Sequence, residues 1–269
     1  MSERRLDPRI IAIRERMKTI DKVLLIASGK GGVGKSIFSV STALAYADKG
    51  LRAGILDLDL HGPVVPMILG VHDRMPSESR EGLIPPKVYG VEMMSLALFV
   101  ESSPLPLRLG SKAEAILELL AITRWSNLDR LIVDLPPGTG DEMLTTTRLL
   151  RDKAFAIVMT TPSKVAVATV KRLIALLREL RINILGLVEN MSRLTQGKVE
   201  LEIFRGTSIR ELAKESGIEY LGDIPIDPTL ESAIGNPRLI MRTKFFLQVS
   251  KIVDKIEKLI ASHSTTPSP

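Results

Sequence analysis

A glycine-rich segment restricts the possible folds of this chain more than any other feature. It follows an apolar run, precedes an amphipathic helical pattern, and reads Gly29-Lys30-Gly31-Gly32-Val33-Gly34-Lys35-Ser36. Glycines let the backbone N–H groups of such a turn converge on a phosphate, and the following helix adds the positive end of its dipole. The segment therefore predicts a phosphate-binding loop between a strand and a helix. A glycine-rich turn that only joins the two elements is the alternative.

Short apolar runs alternate with helical segments along the rest of the chain, which is typical of a mostly parallel sheet with helices on both faces. The predicted strands are 23–28, 53–58, 91–97, 131–134, 154–159, 184–188 and 220–224. The predicted helices are 8–17, 35–48, 112–122, 141–150, 164–180, 208–215 and 243–260. The fold class is therefore α/β, a doubly wound sheet. We expect a helical extension over 1–20, one P-loop domain over 21–261 and a disordered tail over 262–269.

Composition limits the compartment and the chemistry. No apolar stretch approaches the roughly 20 residues of a membrane helix, and the N-terminus lacks the apolar core of a signal peptide, so we expect a cytoplasmic protein. The chain has no cysteine, which excludes cysteine-ligated zinc or iron-sulfur clusters on this polypeptide. A net charge of +6 attracts anions. The charge is dispersed and aromatic residues are scarce, so nucleic-acid or membrane binding is not favoured.

Carboxylates follow two further apolar runs, at Asp57 and Asp59 and at Asp134. The loop predicts that Lys35 bridges the β- and γ-phosphates of a nucleotide and that the Ser36 hydroxyl ligates Mg²⁺. Asp134 ends an apolar run and so matches the Walker B pattern, in which a carboxylate lies beside that ion. Asp57 and Asp59 lie on one side of their strand by alternation, which suits one carboxylate near the metal and one orienting a water. Solvated aspartates at a strand end are the alternative.

The residues after Asp134 form a stiff and then flexible segment, 135–141. Such a segment acts as a switch that senses the γ-phosphate, or it is only a tight connection to a helix that Asp141 caps. At the C-terminal end of the chain, an apolar helical stripe predicts docking on the core, with a membrane anchor as the alternative.

The extra lysine of the loop, Lys30, resembles the deviant Walker A lysine of the MinD, ParA and Mrp ATPases. The resemblance implies that Lys30 crosses a dimer to the partner's phosphates, as an arginine finger does, and that hydrolysis requires a nucleotide-dependent dimer. It also implies that Asp59 positions the attacking water and that Asp57 supports the metal. Nucleotide contacts are assigned to the whole loop, residues 29–36, and to Ile37. A solvated loop lysine is the alternative for Lys30.

Further segments resemble the Mrp branch, the ATPases associated with iron-sulfur cluster assembly and transfer. The similarity covers nearly all of residues 23–240 and rests on 57–63, 90–95, 134–141, 188–192 and 221–225. It implies that Asn190 contacts adenine through its amide and that Pro225 lines the base. A helix-capping role is the alternative for Asn190.

One segment departs from the Mrp pattern. Mrp relatives carry a Cys-x-x-Cys pair after the segment that matches 188–192, whereas residues 193–204 contain no soft ligand. No iron-sulfur cluster is therefore expected on this chain, and the histidines His61, His72 and His263 do not replace thiolates. Gln196-Gly197 and the apolar alternation after it predict a hairpin that could form a dimer contact.

The sequence therefore predicts a Mg²⁺-dependent ATPase that works as a homodimer, related to iron-sulfur cluster assembly but without its own cluster ligands. Its partners are ATP and ADP, a second copy of the chain, or a cysteine-bearing homologue in a heterodimer. The alternative is a MinD- or ParA-like positioning ATPase that switches its affinity for membrane or DNA. A small-molecule kinase is less favoured, because no candidate acceptor pocket is evident.

Overall fold

The computed structural model describes residues 7–59, 62, 64–71, 74–100, 111–196, 199–201 and 208–264. Its strands are β1 Ile20–Ser28, β2 Ala53–Asp57, β3 Ser77–Ser79, β4 Gly82–Ile84, β5 Lys87–Val88, β6 Val91–Ser95, β7 Leu128–Asp134, β8 Ala154–Thr160, β9 Asn183–Gln196, β10 Val199–Leu201 and β11 Tyr220–Ile226. Its helices are α1 Pro8–Lys18, α2 Lys35–Asp48, α3 Val65–Leu69, α4 Ala97–Val100, α5 Lys112–Ile122, α6 Asp141–Leu150, α7 Lys164–Glu179, α8 Ile209–Glu215, α9 Thr229–Ala233, α10 Pro237–Ile240 and α11 Lys244–Ser264.

The central sheet runs β11-β9-β8-β1-β7-β2-β6-β5, and β10 pairs with the far end of β9. Pairing is parallel except for β5 and β10. Strands β2, β6 and β7 lie on one side of β1. The strands that follow in the sequence, β8, β9 and β11, lie on the other side, so the direction of strand addition reverses. Parallel crossovers are right-handed, so this reversal puts α2 on one face and α5, α6 and α7 on the other. The predicted doubly wound α/β fold is confirmed.

The core lies on both faces of the central strands. Every residue of β2, β6 and β8 is buried, as expected for parallel strands covered by helices on both sides. Helix α11 packs on α2 and β11, and its stripe of Phe245, Val249, Ile252, Val253, Ile256 and Ile260 is buried. The stripe therefore docks on the core, as predicted. None of the helices among the described residues is long and apolar enough to cross a membrane.

Several predicted boundaries need correction. Strand β6 ends at Ser95, and Ala97, predicted to be in the strand, begins α4. Ser208 is not helical but caps α8, since its side chain accepts a hydrogen bond from the Glu211 N–H. The prediction of disorder from residue 262 is wrong up to Ser264, because α11 continues through this turn. The rest of the predicted tail, 265–269, lies outside the described residues, as do His61 and His72.

The N-terminal helix and the predicted hairpin also take defined positions. Helix α1 begins after Asp7, whose side chain accepts from the Arg9 N–H, and buries Ile13 and Met17 against its neighbours α5, α6 and β1. The predicted antiparallel pair after Gln196 is present as β9 and β10. Its turn, residues 197–198, lies outside the described part of the chain.

Candidate active site

The glycine-rich loop joins the carboxyl end of β1 to the amino end of α2. Gly34 is the N-cap of α2 with a φ of 81°, in the left-handed region that favours glycine. A Cβ on Gly34 would lie 2.3 Å from Asn190 Nδ2, so a side chain is also sterically excluded there. By contrast, a Cβ on Gly31 or Gly32 would meet nothing within 4 Å. The loop is therefore fixed on its inner side at Gly34 and open at Gly31 and Gly32.

A buried ion pair lies beneath the loop. Lys35 Nζ is 2.7 Å from Asp134 Oδ1, with side-chain exposures of 6% and 0%. Ser39, one turn after Lys35 on α2, places its hydroxyl 2.8 Å from the same oxygen. The second oxygen, Asp134 Oδ2, is buried and has no hydrogen-bond partner among the described residues. A buried acceptor without a partner is costly, so the site is built to receive another group at this oxygen.

Asp57 lies beside Asp134 because the register of β2 and β7 pairs the two residues. Its Oδ2 accepts from the Ser95 hydroxyl at 2.9 Å, and its Oδ1 accepts from the Asp59 N–H at 3.1 Å. Burial, together with the nearby charge of Asp134, raises the pKa of Asp57 to about 7. Two carboxyl groups held this close disfavour each other's charge, which a divalent cation would relieve.

The loop, Asp59 and the segment after β7 enclose a cavity of about 260 Å³. It is lined by Ser28, residues 30–37, Asp59, Val64, Ile68 and Pro137. The structure thus brings together the loop, Ile37 and Asp59 on the walls, with Asp57 and Asp134 below. Pro137 lines this cavity, and the Gly138 N–H donates to the Ser28 carbonyl at 2.9 Å, which connects the 135–141 segment to β1. Asp141 does not cap α6, because Gly140 is at the N-cap position and Asp141 is the first helical residue.

Lys30 lies at the rim of this cavity. Its Nζ is 3.5 Å from Ser163 Oγ, the N-cap hydroxyl of α7. Its ammonium is therefore held at the mouth of the site, separate from the buried pair of Lys35 and Asp134.

The two residues expected to contact the base lie on the paired strands β9 and β11, where Asn190 pairs with Ile224. Asn190 is not a helix cap but lies within β9, 4% exposed, and its amide donates to the Val33 carbonyl at 2.8 Å. The capping alternative is therefore wrong, because the residue supports the loop backbone from below. Pro225, on β11, lines a separate cavity with residues of α11. Neither residue lines the loop cavity.

Sequence reasoning missed the hydroxyls of Ser39, Ser95 and Ser163. The spacing of Ser39, four residues after Lys35, is a signal that both lie on one face of α2. Ser95 ends the strand next to β2, so a prediction of strand order would have found it. No local signal points to Ser163.

The donor set fits a magnesium nucleotide. The open oxygen of Asp134, the carboxyl of Asp57 and the Ser36 hydroxyl are hard oxygen donors, which Mg²⁺ prefers while keeping water and phosphate oxygens in its shell. Among the residues that the structure describes, no group of three or more His, Cys, Asp or Glu side chains could hold a metal ion alone. A Mg²⁺ ion held by these oxygens would complete its coordination with water or phosphate oxygens.

A family model described as ParA, NUBPL iron-transfer P-loop NTPase, matches residues 19–261. The chain belongs to this family. Among its relatives, an iron-sulfur cluster carrier protein of Methanocaldococcus jannaschii is 38% identical over 252 residues, which is 91% of this chain and 87% of that protein. A cytosolic Fe-S cluster assembly factor, CFD1 of Kluyveromyces lactis, is 37% identical over 84% of this chain and 83% of its own length. The predicted resemblance to Mrp-type cluster carriers is confirmed.

Solved structures agree with the family assignment. A nucleotide-binding protein of Archaeoglobus fulgidus in complex with ADP superposes with a TM-score of 0.76 and 32% identity, covering 88% of this chain and 95% of that one. MinD of Pyrococcus horikoshii, complexed with Mg-ADP, gives a TM-score of 0.64 at 19% identity over 91% and 99% of the two chains. The second comparison shows that this NUBPL family member has the MinD-like fold.

Proposed function

We propose that the protein is a Mg²⁺-dependent ATPase that hydrolyses ATP as a nucleotide-dependent homodimer and serves iron-sulfur cluster assembly. The observation that carries the proposal is the buried Lys35–Asp134 pair, which leaves one carboxylate oxygen open beneath a cavity lined by the glycine loop. The ADP complex of the Archaeoglobus fulgidus relative supports a nucleotide in this cavity.

Each residue at the site has a separate task. Loop N–H groups from residues 31–36 and the ammonium of Lys35 bind the β- and γ-phosphates. Ser36 and Asp134 hold Mg²⁺, and Asp57, fixed by Ser95, supports it. The ion would supply positive charge that neutralises the phosphate oxygens.

Asp59 is proposed to orient the attacking water. It lines the cavity wall, and its backbone N–H is tied to Asp57. These contacts support a position of Asp59 on the cavity wall beside the proposed metal site.

Lys30 is proposed to act on the partner subunit's nucleotide. Its ammonium lies at the rim beside Ser163, outside the buried pair. A cation that reaches the transition state only on assembly contributes about a thousandfold or more in rate.

The test measures ATP turnover per subunit as a function of protein concentration for the parent, Lys30→Ala and Asp59→Ala, with the exposed Lys214→Ala on α8 as the matched control. Turnover per subunit of the parent should rise with concentration. Lys30→Ala should bind ATP with parental affinity and lose about a thousandfold in turnover, Asp59→Ala should also bind ATP and turn over slowly, and Lys214→Ala should behave as the parent. Full turnover by Lys30→Ala would refute the trans role.

A role in cluster assembly without cysteine requires a partner that supplies the ligands. The curated relatives are named iron-sulfur cluster carriers or assembly factors, and this chain contains no cysteine. We therefore propose that it acts with a cysteine-bearing homologue and carries no cluster itself. Reconstitution should give iron and acid-labile sulfide in the mixed dimer only. Stoichiometric sulfide on the isolated protein would contradict this division of labour.

Base contacts, domain bounds and location complete the proposal. Asn190 and Pro225 are proposed to approach adenine once nucleotide binds. If so, Asn190→Ala weakens the binding of ADP but not that of tripolyphosphate. If Asn190 only supports the loop, the substitution weakens the binding of both.

The family match over residues 19–261 supports one ATPase domain over 21–261, which limited proteolysis would test. A cytosolic location is proposed from the name of the Kluyveromyces lactis relative and is testable by fractionation.

A further inference from the structure

A second cavity lies at the opposite end of the central strands from the glycine-rich loop. Its volume is about 520 Å³, and it is lined by Glu15, Arg16 and Thr19 at the end of α1, by Glu81 and Ile84 beside β4, and by residues 124–127. Thr19 and Asn127 directly precede β1 and β7, whereas the loop and Asp134 lie at the carboxyl ends of these strands. The seven residues of β7 span about 20 Å. We call this space the amino-edge cavity, and it shares no lining residue with the loop cavity.

The amino-edge cavity contains a buried donor without an acceptor. Trp125 is 4% exposed, and its Nε1 has no hydrogen-bond partner in the described part of the chain. A Cβ added to Gly54 of β2 would lie 3.1 and 3.2 Å from Trp125 Cζ3 and Cε3, so the benzene edge of the indole packs on the sheet. Since Trp125 lines the cavity and Gly54 does not, the opposite edge, which carries Nε1, faces the cavity. An unsatisfied buried N–H is costly, and a ligand that supplies an acceptor oxygen removes the cost.

The charged side chains of the cavity balance each other and are already used. Arg124 Nε lies 3.0 Å from Glu81 Oε2, and Glu15 pairs with Lys18 at 2.7 Å. The Arg16 guanidinium donates to the Glu81 carbonyl. Two cations and two carboxylates line the cavity, so its formal charge is zero. A charged ligand would meet a group of its own sign and compete with these contacts. The ligand that fits best is therefore uncharged.

The uncharged groups of the cavity can orient such a ligand. The Asn127 side chain is exposed and forms no hydrogen bond to any residue that the structure describes, so its amide offers both an acceptor and donors. Ile84 is 40% exposed and, with the indole of Trp125, provides an apolar wall. Ser126 is not available, because its N–H and hydroxyl both donate to Glu92. A carboxamide on an apolar body matches this lining, because it presents one carbonyl oxygen and N–H donors without charge.

We propose that the amino-edge cavity binds an uncharged small molecule with a carboxamide, or the equivalent lactam edge, on an apolar ring or chain. The volume lies within the roughly 300–1,000 Å³ of small-molecule sites, which combine apolar walls with a few polar groups. The ligand's carbonyl oxygen accepts from Trp125 Nε1, its N–H donates to the Asn127 side-chain oxygen, and its apolar body lies on Ile84. A nucleotide does not fit, because Glu15 and Glu81 repel its phosphates.

The test is a fluorine NMR titration of the full chain with three probes of nearly equal shape. These are 4-fluorobenzamide, 4-fluorobenzoate and 4-fluorobenzamidine, which are uncharged, anionic and cationic. The resonance of 4-fluorobenzamide should broaden and give a saturable Kd of about 1 mM, as expected for a ligand of this size. The two charged probes should bind at least about tenfold more weakly. Equal binding of a charged probe, or no binding of the amide at about 10 mM, would overturn the proposal.

Substitutions locate the bound probe. Asn127→Ala and Trp125→Phe should each weaken the binding of 4-fluorobenzamide about fivefold, because each removes one hydrogen bond. The matched control is Asn183→Ala, which removes an exposed asparagine at the start of β9 outside both cavities and should change the Kd less than about twofold. Equal losses in the two asparagine variants would show that the probe binds elsewhere and would overturn the proposal. Asn127 is exposed, so its variant keeps the test decisive if Trp125→Phe is poorly folded.

A third variant tests the charge balance. Glu81→Gln removes the counter-charge of Arg124, so it should tighten the binding of 4-fluorobenzoate about fivefold and leave that of 4-fluorobenzamide within about twofold. Unchanged affinity for the benzoate would contradict the assignment of the probe to this cavity. Saturating Mg-ADP should leave the Kd of 4-fluorobenzamide unchanged, and displacement of the probe would overturn the proposal by assigning it to the loop cavity. None of these measurements depends on ATP turnover.

Discussion

The two ends of β7 hold charged residues in opposite ways. Near its amino end, the Arg130 guanidinium donates to Glu257 at 2.9 and 2.6 Å and to Asp21 at 3.0 Å, and lies 5.9 Å from the centre of the Tyr46 ring. Tyr46 in turn donates to Glu257 at 2.8 Å. At the carboxyl end, Asp134 has a partner for one oxygen and none among the described residues for the other.

The difference teaches which end of the sheet is structural and which is poised for a ligand. A buried charge that is fully paired fastens elements together, and here Arg130 joins β7 to α11 and β1. A buried carboxylate oxygen without a hydrogen-bond partner is costly, and a ligand that binds this oxygen removes the cost. Parallel sheets bind ligands at the carboxyl ends of their strands, where the open oxygen lies.

The largest expected effect comes from removing the buried pair itself. In Lys35→Met/Asp134→Leu, the proposed ATP turnover should fall by at least about a thousandfold, because the cation proposed to bind phosphate and the carboxylate proposed to hold the metal are both lost. The free energy of unfolding should stay the same or rise by about 1–3 kcal/mol, since apolar groups often replace a buried ion pair without loss. Relief of Asp57 from the charge of Asp134 acts in the same direction.

Turnover assays and urea unfolding without nucleotide give the two quantities. A drop of more than about 2 kcal/mol in the free energy of unfolding would mean that the pair holds the fold together. The carboxyl end of β7 would then be structural, and the comparison would fail.

At the other end, Arg130→Met should show the reverse pattern. It leaves Glu257 and Asp21 without their cation, so the free energy of unfolding should fall by about 2–3 kcal/mol. ATP turnover per folded subunit should remain within about twofold of the parent, because the residue lies far from the loop cavity along β7. The same unfolding and turnover measurements apply. A turnover loss as steep as that of the first variant would erase the distinction between the two ends.

The smallest effect concerns an exposed pair at the amino end of β7. Hydrogen bonds from the side chain and backbone of Arg52 lower the pKa of Asp129 to about 2. Because this folded-state pKa lies below the unfolded value of about 3.9, the stabilisation is fully present above about pH 4 and is lost as the pH falls towards 2. Asp129→Asn should therefore lower the free energy of unfolding by less than about 1 kcal/mol at pH 7.

The stability difference between Asp129→Asn and the parent should shrink as the pH falls below about 4 and vanish only below about pH 2, which unfolding curves at several pH values will show. A constant difference at every pH would mean that the shape of the side chain, and not its charge, stabilises this end.

Much of the fold and part of the site could be predicted from local sequence. The loop glycines, the strand-ending carboxylates Asp57 and Asp134, and the helix that follows the loop are each indicated by residues that are close together in the sequence. What failed were element ends, such as the end of β6 at Ser95 and of α11 at Ser264. The ends of these elements depend on packing and capping contacts, which the hydrophobic periodicity of the sequence does not reveal.

The sequence by itself determined a phosphate loop between a strand and a helix, a parallel α/β fold and the absence of thiolate ligands, because each follows from residue type and short-range order. Only the tertiary structure decided the contacts between distant segments. Asn190 supports Val33 across 157 residues, Lys35 meets Asp134 across 99, and Ser95 fixes Asp57 across 38. Such contacts depend on strand order and register, which determine the residues that become neighbours in space. No local sequence pattern indicates these neighbours.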